Sequence, residues 1–85
     1  MRLLRQRRHH HLVLFGKPGC HLCDDTRHLL DVLGSRHSFT VEEVDITSDP
    51  ALFRRYDIRI PVILVDGEEE LDAPIQEAAL RRSLR

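Results

Sequence analysis

A short apolar run followed closely by two cysteines restricts the fold of this chain more than any other feature. Leu12–Phe15 is apolar at every position, which is typical of a strand covered on both faces. Pro18-Gly19 then predicts a turn. After it, residues suited to one buried face recur at helical spacing: Leu22, Thr26, Leu29, Leu30 and Leu33. We therefore predict a helix from about Cys20 to Leu33, ended by Gly34 in a left-handed conformation.

The two cysteines of the chain, Cys20 and Cys23, fall at the start of this helix. A helix start offers unpaired N–H groups and a partial positive charge, which stabilise a thiolate. Residues three apart on a helix face the same side, so the two sulfurs can form a disulfide. The spacing favours a redox-active pair, while half of a zinc site and inert packing are the alternatives. Zinc would need two further ligands, and there is no second C-x-x-C, so we expect no metal.

Charged residues beside the cysteines act in opposite directions. Asp24 and Asp25 suit the positive helix start but oppose a thiolate on Cys20, whereas Lys17 favours it. His21, between the cysteines, either tunes the thiolate, moves a proton or is simply solvated.

Length and charge limit the remaining classes of protein. Eighty-five residues form one small domain, and a net charge of −1 argues against nucleic-acid binding. Residues 1–8 are predicted to be a basic arm, and residues 9–85 the folded domain. His9–His11 alternate sides if they lie on a strand, so we expect a polar lead into the first strand rather than a metal site. There is no apolar stretch long enough to span a membrane, and we expect a cytoplasmic monomer.

Two further strands are separated by a short helix. Phe39–Ile46 is predicted to be an edge strand, with a bulge at Glu42-Glu43 where the apolar phase changes. Asp49-Pro50 provides an N-cap and a proline at the first helical position. Ile60–Val65 is the third strand, and Pro61 belongs among its first residues because proline cannot donate a ladder hydrogen bond.

The end of the chain is predicted to be a hairpin and a last helix. Asp66-Gly67 is a hairpin signal, so the next strand, about Glu68–Leu71, must be antiparallel. Asp72-Ala73-Pro74 is expected to open the helix. The order is β-α-β-α-β-β-α, an α/β fold with a four-stranded mixed sheet flanked by helices.

This order, with C-x-x-C after the first strand and Ile60-Pro61 entering the third, resembles the thioredoxin fold in its minimal glutaredoxin form. The segment Lys17–Asp24, together with Tyr56…Arg59-Ile60-Pro61-Val62 and Val65-Asp66-Gly67, resembles small glutaredoxin-like proteins. The resemblance implies a cis peptide bond before Pro61, which would face the cysteines. It also implies that the backbone of Ile60 is free to pair with a bound thiol peptide. From the residues alone, an ordinary trans-proline is the alternative.

The sequence also departs from the better-known relatives. His-Leu separates the cysteines, instead of the Pro-Tyr of glutaredoxins or the Gly-Pro of thioredoxins. The tryptophan before the thioredoxin motif is absent, and Glu68–Asp72 replaces the paired glycines that hold glutathione. These departures concern the identity of the reductant more than the fold.

The resulting hypothesis is a thiol-disulfide oxidoreductase that uses no cofactor. Cys20 is the expected nucleophile and Cys23 the resolving thiol, with Lys17, Ile60 and Pro61 binding substrate and with His21 and Asp24 tuning reactivity. The substrate is a disulfide-bearing protein or a small thiol compound, and the reductant a protein dithiol or glutathione. Two alternatives are a metal or iron–sulfur carrier ligated by thiols and a redox-inactive interaction module. The acidic residues after the hairpin favour the protein dithiol over glutathione.

Overall fold

The computed structural model describes residues 8–85, so most of the predicted basic arm lies outside the described residues. The chain forms four strands and three α-helices in the predicted order. They are β1 (His9–Gly16), α1 (His21–Leu33), β2 (Ser38–Asp45), α2 (Pro50–Tyr56), β3 (Val62–Val65), β4 (Glu69–Asp72) and α3 (Glu77–Ser83). A short 3-10 turn, Ile46–Ser48, connects β2 to α2.

The strands make one mixed sheet in the order β2-β1-β3-β4. β1 pairs parallel with β2 and antiparallel with β3, and β3 pairs antiparallel with β4. The predicted fold class is therefore confirmed, including the edge position of β2. β1 lies inside the sheet, which explains why Leu12–Phe15 is apolar on both faces.

Each face of the sheet supports its own core. Between the sheet and helices α1 and α3 lie Leu12, Leu14, Leu30, Leu33, Ile63, Val65, Leu80 and Leu84. On the opposite face, Phe15, Ile46, Tyr56 and Val62 pack together with partly buried residues that include Leu52 of α2. Alternate residues of β1 thus enter different cores, as the two-residue period of a strand requires. The two cores hold β1 and β3, whose adjacent ends carry the candidate site.

Two local predictions about β2 and α1 are wrong. β2 pairs with β1 without interruption from His9↔Ser38 to Gly16↔Asp45, so there is no bulge. The apolar phase changes because Phe39 packs on one core and Val44 on the other. Gly34 is right-handed, with φ −61°, because the chain leaves α1 through a further tight turn.

The last helix starts later than predicted. The three histidines belong to the first strand instead of forming a polar segment ahead of it. Asp72 ends β4, and α3 begins at Glu77 after a segment that contains a second cis bond, Ala73–Pro74. His9–His11 form the first part of β1, where His10 is buried with only 3% of its surface exposed. The hairpin and the helix cap are as predicted: Asp66 and Gly67 have positive φ, and Asp49 accepts from the Ala51 N–H at 2.8 Å. Within residues 8–85, the helices are all too short and too polar to cross a membrane.

Candidate active site

Cys20 and Cys23 form a disulfide at the amino end of α1, with 5.2 Å between their Cα atoms. Cys20 is the N-cap rather than the first helical residue, and the Cys23 N–H donates to its sulfur at 3.1 Å. This places the Cys20 sulfur on one of the N–H groups that a helix leaves unpaired. In the reduced protein, the same contact would stabilise a thiolate.

The two sulfurs differ in their access to solvent. Cys20 is half-buried, whereas Cys23 is only 1% exposed. Gly16, the last residue of β1, allows this: a Cβ at Gly16 would lie 3.0 Å from the Cys23 sulfur. Sequence reasoning missed Gly16, although its place between an apolar strand and C-x-x-C was a usable signal. The site therefore presents one accessible sulfur and keeps the other beneath it.

Pro61 lies at the same end of the sheet as the cysteines. It is buried, its bond to Ile60 is cis, and the next residue, Val62, pairs with Phe15 at the end of β1. The cis isomer is the one the resemblance implies. The expectation that the Ile60 backbone is free is wrong in part, because the Ile60 N–H donates to the Tyr56 carbonyl at 3.1 Å.

Arg59 connects the segment before Pro61 to β4 through hydrogen bonds. Its guanidinium donates to both Asp72 oxygens at 2.9 Å and to Glu70 at 2.6 Å. These hydrogen bonds lower the pKa of both carboxyl groups, and the Tyr56 hydroxyl, which donates to Glu70 at 2.8 Å, lowers that of Glu70 further. Two of the acids expected to repel an anionic donor, Glu70 and Asp72, are thus paired with Arg59. Sequence analysis quoted Arg59 in the motif around Pro61 but gave it no role, because its partners lie more than ten residues away.

The other predicted site residues are present but have partners of their own. The Lys17 amine contacts Asp57 at 3.5 Å. Asp24 accepts from Arg27 at 2.7 Å, and Arg27 also reaches Glu43. His21 is exposed and lies 3.6 Å from Asp25. Neither Asp24 nor Lys17 therefore presents an isolated charge to Cys20.

A groove of about 220 Å³ runs beside the cysteine-bearing turn. Leu22, Thr26 and Leu29 of α1 line one side, and Pro61 and the 73–75 segment line the other. Asp25 is the one charged residue in the lining. The groove places an apolar surface next to the disulfide.

Metal ligation finds little support in the chain from residue 8 onward. There, no three His, Cys, Asp or Glu side chains come together in a way that would hold an ion. A carrier would therefore need ligands from outside this part of the chain in addition to Cys20 and Cys23.

A protein-family model, the Glutaredoxin-like domain (DUF836), matches residues 11–85. The chain belongs to this family. A solution structure of the protein Ne2328 from Nitrosomonas europaea is similar to this glutaredoxin-like protein, with a TM-score of 0.82, 28% identity and full coverage of both chains.

Two further solved structures extend the comparison. The structural-genomics protein XcR50 from X. campestris is 34% identical, with a TM-score of 0.70 over 84% of this chain and 91% of its own. A mutant thioredoxin from Halobacterium salinarum is 25% identical, with a TM-score of 0.68 over 88% of this chain and 71% of its own. The glutaredoxin-like protein thus has a thioredoxin-like fold with a C-x-x-C disulfide, which supports a redox type of function.

Proposed function

We propose that this protein is a thiol-disulfide oxidoreductase in which Cys20 is the nucleophile and Cys23 the resolving thiol. One observation carries the proposal: the paired sulfurs lie at the start of α1, with Cys20 accessible and hydrogen-bonded and Cys23 buried. Exchange requires an accessible thiolate for the first attack and a second thiol within reach for release. Both requirements are met within one helical turn.

The reaction proceeds in two exchanges. The Cys20 thiolate attacks one sulfur of a substrate disulfide, and the other half leaves as a thiolate that takes a proton from solvent. The Cys23 thiolate then attacks the Cys20 sulfur and releases the first half. Two electrons pass to the substrate, and the protein ends with the Cys20–Cys23 disulfide.

We propose a protein dithiol, rather than glutathione, as the donor that reduces this disulfide again. Glutathione carries two carboxylates, and the cation closest in sequence to Cys20, Lys17, contacts Asp57. Arg59 is occupied by Glu70 and Asp72. Such a dithiol cycle suits a reducing compartment such as the cytoplasm.

The decisive experiment traps the first intermediate. Reduced Cys23→Ser protein, mixed with a peptide disulfide, should accumulate a covalent adduct on Cys20, identified by mass spectrometry of its proteolytic fragments. Cys20→Ser protein should form its adduct on Cys23 at least about a hundredfold more slowly, since that sulfur is buried.

Circular dichroism of the two serine variants is the matched control, since both lose the same disulfide. Equal adduct rates on Cys20 and Cys23 would contradict the assignment of roles. No exchange by the reduced wild-type protein would contradict the function itself.

A further inference from the structure

The groove beside the cysteines combines an apolar lining with a single charge. Leu22 stands between Cys20 and Cys23 and is 54% exposed, although leucine is a residue that folding usually buries. Pro61 and Pro74, each after a cis bond, form part of the opposite wall. An apolar side chain of a bound peptide would be removed from water here, against Leu22, the residue that directly precedes Cys23.

Asp25 is the charged residue of this groove, and among the described residues its one ion-pair partner is a histidine, His21, rather than an arginine or lysine. The Asp25 side chain is 61% exposed, and the His21 ring nitrogen is 3.6 Å away. Among the described residues, no group donates a hydrogen bond to this carboxylate. No arginine or lysine of that part of the chain forms an ion pair with it either.

Three other acids near the site differ from Asp25 in having an arginine or lysine partner. Asp24 is paired with Arg27, Asp57 with Lys17, and Asp72 with Arg59. Asp45, beside Gly16, accepts from Thr47 and has no such partner among the described residues, but it lies outside this groove. A cation that a substrate brings into the apolar groove would therefore find its counter-charge at Asp25, on the rim.

We propose that this groove selects polypeptide disulfides in which an apolar residue and a positively charged residue lie beside the reacting half-cystine, with Asp25 as the charge-selecting residue. The inference rests on the proposed function and specifies its substrate. Glutathione does not fit the description, because it would bring carboxylates to a groove whose one charge is negative. Charge complementarity at an exposed rim acts mainly on the rate of encounter, so it should weaken as salt is added.

The test uses two peptides that differ in one residue. Both carry a leucine directly before the cysteine. The residue directly after the cysteine is lysine in one peptide and glutamate in the other. Each is supplied as a mixed disulfide with 4-thiopyridine, a neutral leaving group whose release is followed by stopped-flow absorbance. Reduced protein attacks the peptide disulfide, forms the peptide adduct and then its own disulfide, and dithiothreitol regenerates the dithiol between runs.

The measured quantity is the ratio of the two rates, because a change in the Cys20 thiolate affects both peptides equally. In the wild-type protein at low salt, the lysine peptide should react about three- to fivefold faster, the scale of an exposed charge pair. Asp25→Asn should reduce this ratio by at least about half, as should added salt. Asp31→Asn, an exposed acid further along α1, is the matched control and should leave the ratio unchanged.

The possible outcomes distinguish a failure of the charge selection from a failure of the oxidoreductase function. Equal rates for the two peptides in the wild-type protein, or the same ratio in Asp25→Asn as in wild type, overturn the charge selection and leave the oxidoreductase function intact. An equal loss of selectivity in Asp31→Asn also overturns the role of Asp25. If neither peptide reacts faster with wild-type protein than with Cys20→Ser, both proposals fail.

Discussion

The two ends of β1 use their polar groups in opposite ways. At the carboxyl end, Gly16 leads to the half-buried Cys20 and to a groove whose one carboxylate, Asp25, has the exposed His21 ring as its ion-pair partner among the described residues. At the amino end, His10 is buried and its ring is 2.6 Å from Asp66 and 3.2 Å from the Arg85 backbone oxygen. Asp66 also accepts from the His11 N–H at 2.8 Å and returns a bond from its own N–H to the His11 carbonyl.

This difference indicates where the chain holds its fold and where it leaves groups available. The His10–Asp66 network links the β3–β4 hairpin and the end of the chain to β1, and breaking it would leave polar groups of the buried His10 ring without partners, which is costly. The cysteine end has an accessible sulfur that a partner can approach. Changes at one end should therefore affect stability, and changes at the other should affect exchange rates.

The largest expected effect is on stability, at the amino end. His10→Ala removes a buried ring and leaves Asp66 without one of its bonds, so the free energy of unfolding should fall by about 2–3 kcal/mol. Urea unfolding measures this loss. The folded fraction should exchange disulfides at the wild-type rate; a parallel loss of rate would show that the two ends are coupled.

The next largest effect is expected on the rate of disulfide exchange, from a change at the carboxyl end of β1. Gly16→Ala puts a Cβ 3.0 Å from the Cys23 sulfur, so the resolving thiol must move. We expect resolution of the mixed disulfide to slow by about tenfold, since reacting atoms tolerate little displacement. Quenched-flow mass spectrometry of the adduct follows this step.

The matched control for Gly16 is Gly34→Ala. Gly34 is right-handed, and an added Cβ there would make only ordinary contacts of 3.5 Å or more. Its resolution rate should equal that of wild type. Slow resolution in both variants would place the cause outside the Gly16–Cys23 contact.

The loss of folding stability at acid pH should involve carboxyl groups near both ends of β1. The Arg59 hydrogen bonds lower the pKa of Glu70 and Asp72, and the His11 N–H and His10 ring lower that of Asp66. A carboxyl whose pKa is lower in the folded chain stabilises the fold above its unfolded pKa, about 4, and this contribution is lost as the pH falls through the folded value.

Arg59→Gln removes the main cause of the lowered pKa at Glu70 and Asp72. The hydrogen bonds that lower the pKa of Asp66 remain. The fall in the urea midpoint between about pH 5 and pH 3 should therefore become shallower, but not vanish. Arg55→Gln is the control, because Arg55 reaches Glu70, at 3.6 Å, but forms no ion pair with Asp72, and so should change the slope less. An unchanged slope in Arg59→Gln would assign the acid sensitivity to Asp66 and the remaining carboxyls.

The smallest effect concerns Lys17. Its amine is 3.5 Å from Asp57 and 40% exposed, so its influence on Cys20 should be screened. Lys17→Gln should change the rate of Cys20 alkylation by less than about threefold. A tenfold slower alkylation would show that Lys17, rather than the helix start, stabilises the thiolate.

Local signals predicted the position of the two cysteines at the start of α1 correctly, because this position depends on residues a few places apart in the chain. The apolar strand, the turn and the helical spacing placed both cysteines at the start of α1 within one residue. Asp49-Pro50 and Asp66-Gly67 predicted a helix cap and a hairpin for the same reason. Errors arose where the signal was ambiguous: the phase change in β2 came from two cores rather than from a bulge.

The sequence alone thus determined the element order, the pair of cysteines and the strand-to-helix junction that carries them, since each depends on neighbours a few residues apart. Only the tertiary structure decided which sulfur is accessible, which acids are paired and what lines the groove. Those properties depend on contacts between separate parts of the chain, such as Gly16 with Cys23, Arg59 with Asp72 of β4, and Pro74 opposite Leu22. His10 shows this best: a polar residue at the start of a strand is buried because a hairpin aspartate 56 residues away provides its partner.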